Sequence, residues 1–285
     1  TVITFNDHSF DFHLTALNFK NSKIKFLGIQ SAGRSIPNFR RMYENFYIPH
    51  YFTFGRYEKD ITFNKINTNC KYRPIGSLNA SLALKFVKKK EINIDKKLYD
   101  ICLISEPRKV LNYDFANFNK MNQNRSLIVE HAFKFCSNNN KKIIFSGKAD
   151  FNSKQDQESE TKLYQYFIPN TKFKISFNEK KNYGSYIDML QSDLIIGSVS
   201  SMLQEAMGYQ KKVLYCDFEN NNDLYPTMNG IGILKDKSYE SFEESVLEIL
   251  KMSFQDYLKR IDKDLNYYCY DNSKTCDLLR KELNR

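Results

Sequence analysis

The 285-residue chain carries 43 Lys+Arg against 33 Asp+Glu, a formal net charge of +10, and is 41% hydrophobic and 15% aromatic. That apolar content is too high for a disordered chain, and ten Gly and six Pro exclude collagen-like or low-complexity sequence. No stretch approaches the roughly 18 uncharged apolar residues of a spanning helix, so none is expected.

In chain order, Val2–Phe5 reads as a strand and Phe10–Phe19 as a helix. Ile24–Ile29 is a strand ending at Gln30-Ser31-Ala32-Gly33, and Ile36–Phe46 is helical. Tyr51–Phe54 closes on Gly55, Tyr72–Ile75 closes on Gly76-Ser77, and Ser81–Lys90 is a helix with a basic end. The Lys-rich run Lys88–Lys97 reads as a linker. Tyr99–Ser105 is a buried strand, Ser126–Asn138 a helix, and Lys142–Phe145 a strand closing on Ser146-Gly147-Lys148. Phe151–Lys162 is polar, a loop or a helix start. Phe173–Phe177, Leu194–Ile196 and Val213–Cys216 are strands, Tyr186–Gln191 and Ser201–Met207 helices, and the tail from Ser241 is helical. Short apolar runs alternating with longer amphipathic segments specify α/β structure with parallel sheets covered on both faces. The expected architecture is two Rossmann-like lobes facing a cleft, residues 1–92 and 93–285.

The chain opens on Thr1 rather than Met, so the first lobe is read as open to residues upstream, some belonging to the site. Thr1–Ile3 runs into a strand pattern with no charged leader, which points to a cytoplasmic protein. Six cysteines form no C-x-x-C, and four histidines (His8, His13, His50, His131) show no metal-ligand spacing. Buried free thiols and no metal are expected, and no cofactor is implied.

One stretch is dense in chemistry: Ser192-Asp193-Leu194-Ile195-Ile196-Gly197-Ser198-Val199-Ser200-Ser201, followed by Met202-Leu203-Gln204-Glu205-Ala206-Met207-Gly208. A buried strand ends at Gly197, serines turn the chain, and a helix begins. Ser201 with Gln204 fits a capping box. Free amides and the hydroxyls of Ser198, Ser200 and Ser201 would receive a phosphate, and Glu205, one turn on, would accept ribose hydroxyls. The plainer alternative is an ordinary serine cap with a glutamate suited to the helix dipole. P-loop and dinucleotide fingerprints are absent.

The continuation Lys211-Lys212-Val213-Leu214-Tyr215-Cys216 gives the order strand, Ser turn, helix with Glu-Ala, Gly, Lys-Lys, strand. Upstream stand Ile29-Gln30-Ser31-Ala32-Gly33-Arg34, Ile48-Pro49-His50-Tyr51-Phe52-Thr53-Phe54-Gly55, Tyr57-Glu58-Lys59-Asp60, Pro74-Ile75-Gly76-Ser77 and Tyr99–Ser105. From Thr1 to Tyr215 this succession resembles GT-B glycosyltransferases of bacterial surface-carbohydrate biosynthesis, similar to CMP-Kdo transferases and more distantly to CMP-sialic acid transferases and CDP-glycerol polymerases. In those relatives a Ser-Ser/Thr pair at a helix start holds the CMP phosphate, and Ser200-Ser201 matches it. The resemblance implies a CMP-activated acidic sugar as donor and a capsule or lipopolysaccharide glycan, free or lipid-linked, as acceptor. Many relatives carry His-Pro where this chain has Phe145-Ser146-Gly147-Lys148-Ala149-Asp150; the departure leaves the donor open, with Lys148 supplying positive charge.

Glycosyl transfer needs a carboxylate near the anomeric carbon and groups that stabilise the leaving phosphate. Asp7, Glu106 and Asp150 each follow a strand and are the candidate carboxylates, with caps or surface charges as the alternative. Gln30 and Arg34 would orient the sugar or acceptor. His8 beside Asp7 could pair with it, whereas His50 and His131 read as structural. The basic run Lys85–Lys97 and the Lys-rich tail fit a peripheral contact with an anionic membrane surface. Nucleic acid is not expected, because the charge is spread and the aromatics keep core periodicity. Two rivals remain: a CDP-glycerol-type phosphotransferase of the same fold, and a non-catalytic basic binding module.

Overall fold

The computed structural model describes residues 1–6, 9–33, 47–60, 70–105, 115–150, 152–169, 173–178, 182–220 and 228–284. The helix expected over Ile36–Phe46 lies outside them. The chain builds two parallel sheets. The first consists of β1 (Val2–Thr4), β2 (Phe26–Ile29), β3 (His50–Thr53) and β4 (Lys71–Pro74), side by side in sequence order. Helix α1 (Phe10–Asn18) joins β1 to β2 and buries only His13 and Ala16. After β4, Ser77 caps α2 (Leu78–Lys89), three residues earlier than the apolar pattern marks; its hydroxyl accepts from Ala80 N.

The second sheet holds β5 (Tyr99–Ile104), β6 (Ile143–Asp150), β7 (Ile175–Asn178), β8 (Ser192–Gly197), β9 (Lys212–Cys216) and β10 (Ile233–Leu234). Their spatial order is β10-β9-β8-β5-β6-β7, all parallel. The order reverses between β5 and β8. Helices α3 (Phe115–Asn138), α4 (Lys154–Phe167), α5 (Gly184–Leu190), α6 (Ser201–Met207), α7 (Tyr239–Lys251), α8 (Phe254–Arg260) and α9 (Thr275–Leu283) complete the chain. Ile101, Leu103, Ile195, Ile196, Val213 and Leu214 are buried at the centre of one large core, as a sheet covered on both faces requires.

Three details differ from the sequence reading. Helix α3 begins eleven residues before Ser126, through an Asn-rich segment of poor intrinsic helix propensity. Strand β6 runs on to Asp150 through a register shift against β7, so Lys148 and Asp150 sit in an extended segment rather than in a turn after Phe145. The polar stretch after Phe151 becomes α4, capped by Ser153.

The last helix also crosses back. Leu279 of α9 packs with Leu27, Ile29, Phe52 and Ile75 in the first sheet's core, so this terminal helix completes the first lobe. The strap that carries it, Tyr267–Thr275, is pinned to both lobes. Tyr57 N donates to Tyr267 O (2.9 Å), Tyr270 N to Phe54 O (2.7 Å) and Asn272 N to Gly208 O (3.1 Å). Thr275 Oγ1 donates to Ile75 O at 2.6 Å. All six cysteines are free, five of them buried. Among the described residues no helix is long and apolar enough to cross a membrane.

Candidate functional site

In an open parallel sheet the carboxyl ends of two strands whose connections leave in opposite directions form a crevice, and ligands bind there. Here those strands are β5 and β8. Their ends bring Ile104 and Ser105 beside Gly197 and Ser198. Strand β8 is apolar and buried from Leu194 to Gly197; the turn Ser198–Ser200 follows, with Ser198 itself buried.

Ser200, not Ser201, is the N-cap of α6: its backbone is extended (φ −78, ψ 135) and its hydroxyl accepts from Met202 N. The expected box of Ser201 with Gln204 is therefore not formed. A cap must leave the helical φ/ψ region, and Ser201 is already the first helical residue. The cap shift leaves the half-exposed Ser201 hydroxyl free of capping duty at the mouth of the crevice.

Arg125, which no sequence motif marked, reaches the same place from α3. With Leu103, Ile104, Gly197 and Ser198 it lines a small cavity of about 30 Å³. Its side chain is buried, so a guanidinium belongs to the lining of the cavity that Gly197 and Ser198 share. Glu160 of α4 also escaped the sequence. It accepts from Ser105 Oγ, from Lys148 N (3.0 Å) and from Ala149 N (2.8 Å), tying the ends of β5 and β6 together.

The other expected residues divide. Asp7, Glu106 and Arg34 lie outside the described residues, as does His8, and for Asp150 only the backbone is described. Lys148 is exposed on β6, which flanks β5 on the side away from β8 and so stands about 10 Å from β8. Gln30 is buried and committed to its own lobe. Its Nε2 donates to Glu58 Oε1 (2.7 Å) and Ala32 O (2.9 Å), and its Oε1 accepts from Phe54 N (2.7 Å). That amide clamps the loops after β2 and β3 instead of facing a substrate.

Glu205 is 3% exposed and turned toward the first lobe. Ser77 Oγ donates to its Oε1 at 2.5 Å, Tyr186 OH lies 3.1 Å from Oε2, and Asn272 Nδ2 donates to its backbone O at 2.8 Å. Burial pushes the carboxyl up to about 7, against the opposing pull of the Ser77 and Tyr186 hydrogen bonds. In place of the ribose role expected for it, Glu205 bridges the lobes, its carboxylate engaged by Ser77 and Tyr186. His131 is structural, its Nε2 2.8 Å from Lys237 O and its ring packed on Phe218, Tyr239 and Phe242.

A larger open pocket of about 730 Å³, lined by Arg56, Asp60, Lys259, Lys263, Asp264 and Tyr267, lies at the strap, away from the crevice. Its charges are of both signs and Arg56 pairs with Asp264 at 2.6 Å, so no single charge converges there. Among the described residues no group of three or more His, Cys, Asp or Glu side chains is placed to hold a metal ion.

No family model matches the sequence, and no curated protein matches it. Solved structures do match. UDP-GlcNAc 2-epimerase from Neisseria meningitidis bound to UDP-GlcNAc is similar at 14% identity with a TM-score of 0.56, over 96% of this chain and 72% of that one. The epimerase from Methanocaldococcus jannaschii is similar at 15% identity and TM-score 0.57, over 96% and 74%. The wall teichoic acid polymerase TagF is similar at 13% identity and TM-score 0.51, over 92% and 69%. The fold is GT-B-like. At these identities the likeness concerns the arrangement of two parallel-sheet lobes, the architecture expected from the residues.

Proposed function

We propose that this protein is a nucleotide-sugar-dependent glycosyltransferase whose donor binds at the carboxyl ends of β5 and β8. The observation that carries the reading is the reversal of strand order, which sets the turn Gly197–Ser201 in the crevice that faces the first lobe. Ser198, Ser200 and Ser201 supply hydroxyls to the donor phosphate, and the positive Arg125, which lines a cavity with Gly197 and Ser198, favours an anion there. An acceptor hydroxyl attacks the anomeric carbon, the bond from that carbon to the phosphate oxygen breaks, and the nucleotide leaves with the electron pair. The acceptor proton passes to a carboxylate, for which Asp7, Glu106 and Asp150 stand as candidates, with Arg34 orienting the substrate. Lys148, exposed one strand further out, is a weaker partner for the phosphate.

The finer reading follows the sequence resemblance: a CMP-activated acidic sugar such as Kdo, moved onto a bacterial surface polysaccharide at the cytoplasmic face of an anionic membrane. Two other uses of the same crevice stand beside it: the CDP-glycerol-type phosphotransfer that the sequence resemblance offers, and epimerisation of a UDP-sugar, the activity for which one fold neighbour is named. Thermal unfolding with CMP, CDP, UDP, GDP and ADP separates the donors. A ligand at about 100 times its Kd adds roughly 2.7 kcal/mol, several degrees for a chain of this size. We expect a CMP-selective shift that falls sharply in the Ser200→Ala/Ser201→Ala double variant. Product analysis then separates the reactions: a transferase releases nucleotide, a phosphotransferase adds a phosphate to the acceptor mass, and an epimerase changes the sugar without releasing it. No shift with any nucleotide overturns the proposal in favour of a basic binding module.

A further inference from the structure

Gln204 sits one helical turn beyond Ser200 and Ser201, on the same face of α6. It is 3% exposed, and its Oε1 has no hydrogen-bond partner among the described residues. Native proteins leave few buried acceptors unmade, because each forfeits its hydration without compensation. A glutamine kept in such a place, where an unbranched apolar residue of the same length would fit, is a cost to folding with no return inside the fold.

The atom's surroundings say where a return would come from. Its face of α6 meets the loop after β2, and the contact is made by a glycine. An ideal Cβ on Gly33 would lie 2.5 Å from Gln204 Oε1 and 3.2 Å from Ser201 Cβ. Only a residue without a side chain lets the first-lobe backbone come this close to Ser201 and Gln204. The unpartnered oxygen thus faces the seam where the serine turn of one lobe meets the β2 loop of the other. If a donor phosphate occupies the turn and the acceptor approaches from the first lobe, the group being transferred lies across that same seam.

We infer that Gln204 recognises the sugar part of the donor, its Oε1 accepting a hydrogen bond from a sugar hydroxyl or amide N–H in place of its contact with Gly33. The inference rests on the reading of the serine turn as the donor site. It assigns Gln204 to the sugar and not to the nucleotide, because its side chain faces the first lobe rather than the crevice between β5 and β8. Gln204 is then a residue that binding uses and folding does not need.

The test pairs stability with binding in one variant. Gln204→Met keeps the length and removes the acceptor. Its Tm should equal or exceed that of the wild type, since the unsatisfied atom is gone. Affinity is measured by calorimetry for CMP against CMP-N-acetylneuraminate and for UDP against UDP-GlcNAc. For whichever pair binds the wild type, the variant should hold the free nucleotide unchanged and lose about tenfold for the sugar nucleotide, the loss of one hydrogen bond. The inference is overturned if Gln204→Met melts several degrees lower or fails to fold, because the amide then has a structural partner. It is equally overturned if the folded variant binds the sugar nucleotide as the wild type does. If the wild type binds neither nucleotides nor sugar nucleotides, the donor-site reading fails first and takes this inference with it.

Discussion

The two sheets are built alike and equipped differently. In the first, four strands stand in sequence order, so among the described strands no reversal opens a crevice. In the second, β8 returns beside β5 and every connection after it runs the other way, leaving a crevice at Ser105 and Ser198. Their cores differ as well. The first lobe gathers Leu27, Ile29, Phe52 and Ile75 around Leu279, borrowed from the far end of the chain, and leaves Val2, Ile3, Phe5, Phe10, Leu14 and Leu17 exposed. The second is a continuous apolar core from β5 to α8. The second sheet's core is built largely from its own lobe; the first draws on the helix that the strap carries back to it.

That contrast can be broken most directly at Gly55. A Cβ there would lie 2.2 Å from Tyr267 O and 2.6 Å from Tyr268 C, backbone atoms that cannot yield without moving the strap. Gly55→Ala should cost about 3 kcal/mol or more in chemical denaturation, with the first lobe losing amide-exchange protection before the second. Equal loss in both lobes would show that the strap is not what holds the first.

A smaller effect sharpens the seam between lobes. Because burial raises the Glu205 carboxyl from 4.5 to about 7, the folded state binds its proton more tightly than the unfolded chain does. The stability it contributes is fully present below about pH 4.5 and is lost as pH rises through 7, a span of up to roughly 3 kcal/mol. Asp188, buried near Ser146 and Ser176 and raised to about 6, acts in the same direction at lower pH. Lys211, pushed down to about 7 by burial and by neighbouring Lys97, acts oppositely above neutrality. The wild type should therefore melt lower at pH 7.5 than at pH 5.5. Glu205→Gln should flatten most of that slope above pH 6, while Asp188→Asn removes only its lower part. An unchanged slope in Glu205→Gln would mean the seam carries no titrating bridge.

The smallest change is expected at the rim. Arg56 and Asp264 pair at 2.6 Å with half or more of each side chain exposed. Asp264→Asn should alter stability by no more than about 0.5 kcal/mol, since exposed pairs gain little over water. A larger loss would make that ion pair, and not the glycine contact, the fastening of the strap.

Local pattern made the strands and the serine turn legible, because short apolar runs ending at Gly197 or Gly55 leave few alternatives. Ser200 caps the helix where the pattern expects Ser201, since the two offer the same hydroxyl and only backbone angles separate them. Strand β10, two residues long, is too short to carry a period. What stayed hidden was long-range. Glu205 meets Ser77 across 128 positions and Gln30 meets Glu58 across 28, so side chains that look available in sequence are consumed by partners elsewhere in the fold. Arg125 lies in a polar, Asn-rich helix with no motif around it, and its sharing a cavity with Ser198 follows only from the packing of α3 on the second sheet.

The central claim is that the crevice of the second sheet holds a nucleotide. Hydrogen–deuterium exchange of the full chain, with and without saturating CMP or UDP, locates that binding directly. The account predicts added protection across Gly197–Met207 and at the end of β5, with β1–β4 unchanged by the nucleotide alone. Protection confined to the first sheet or to the pocket beside Tyr267, or no protection with either nucleotide, would contradict it.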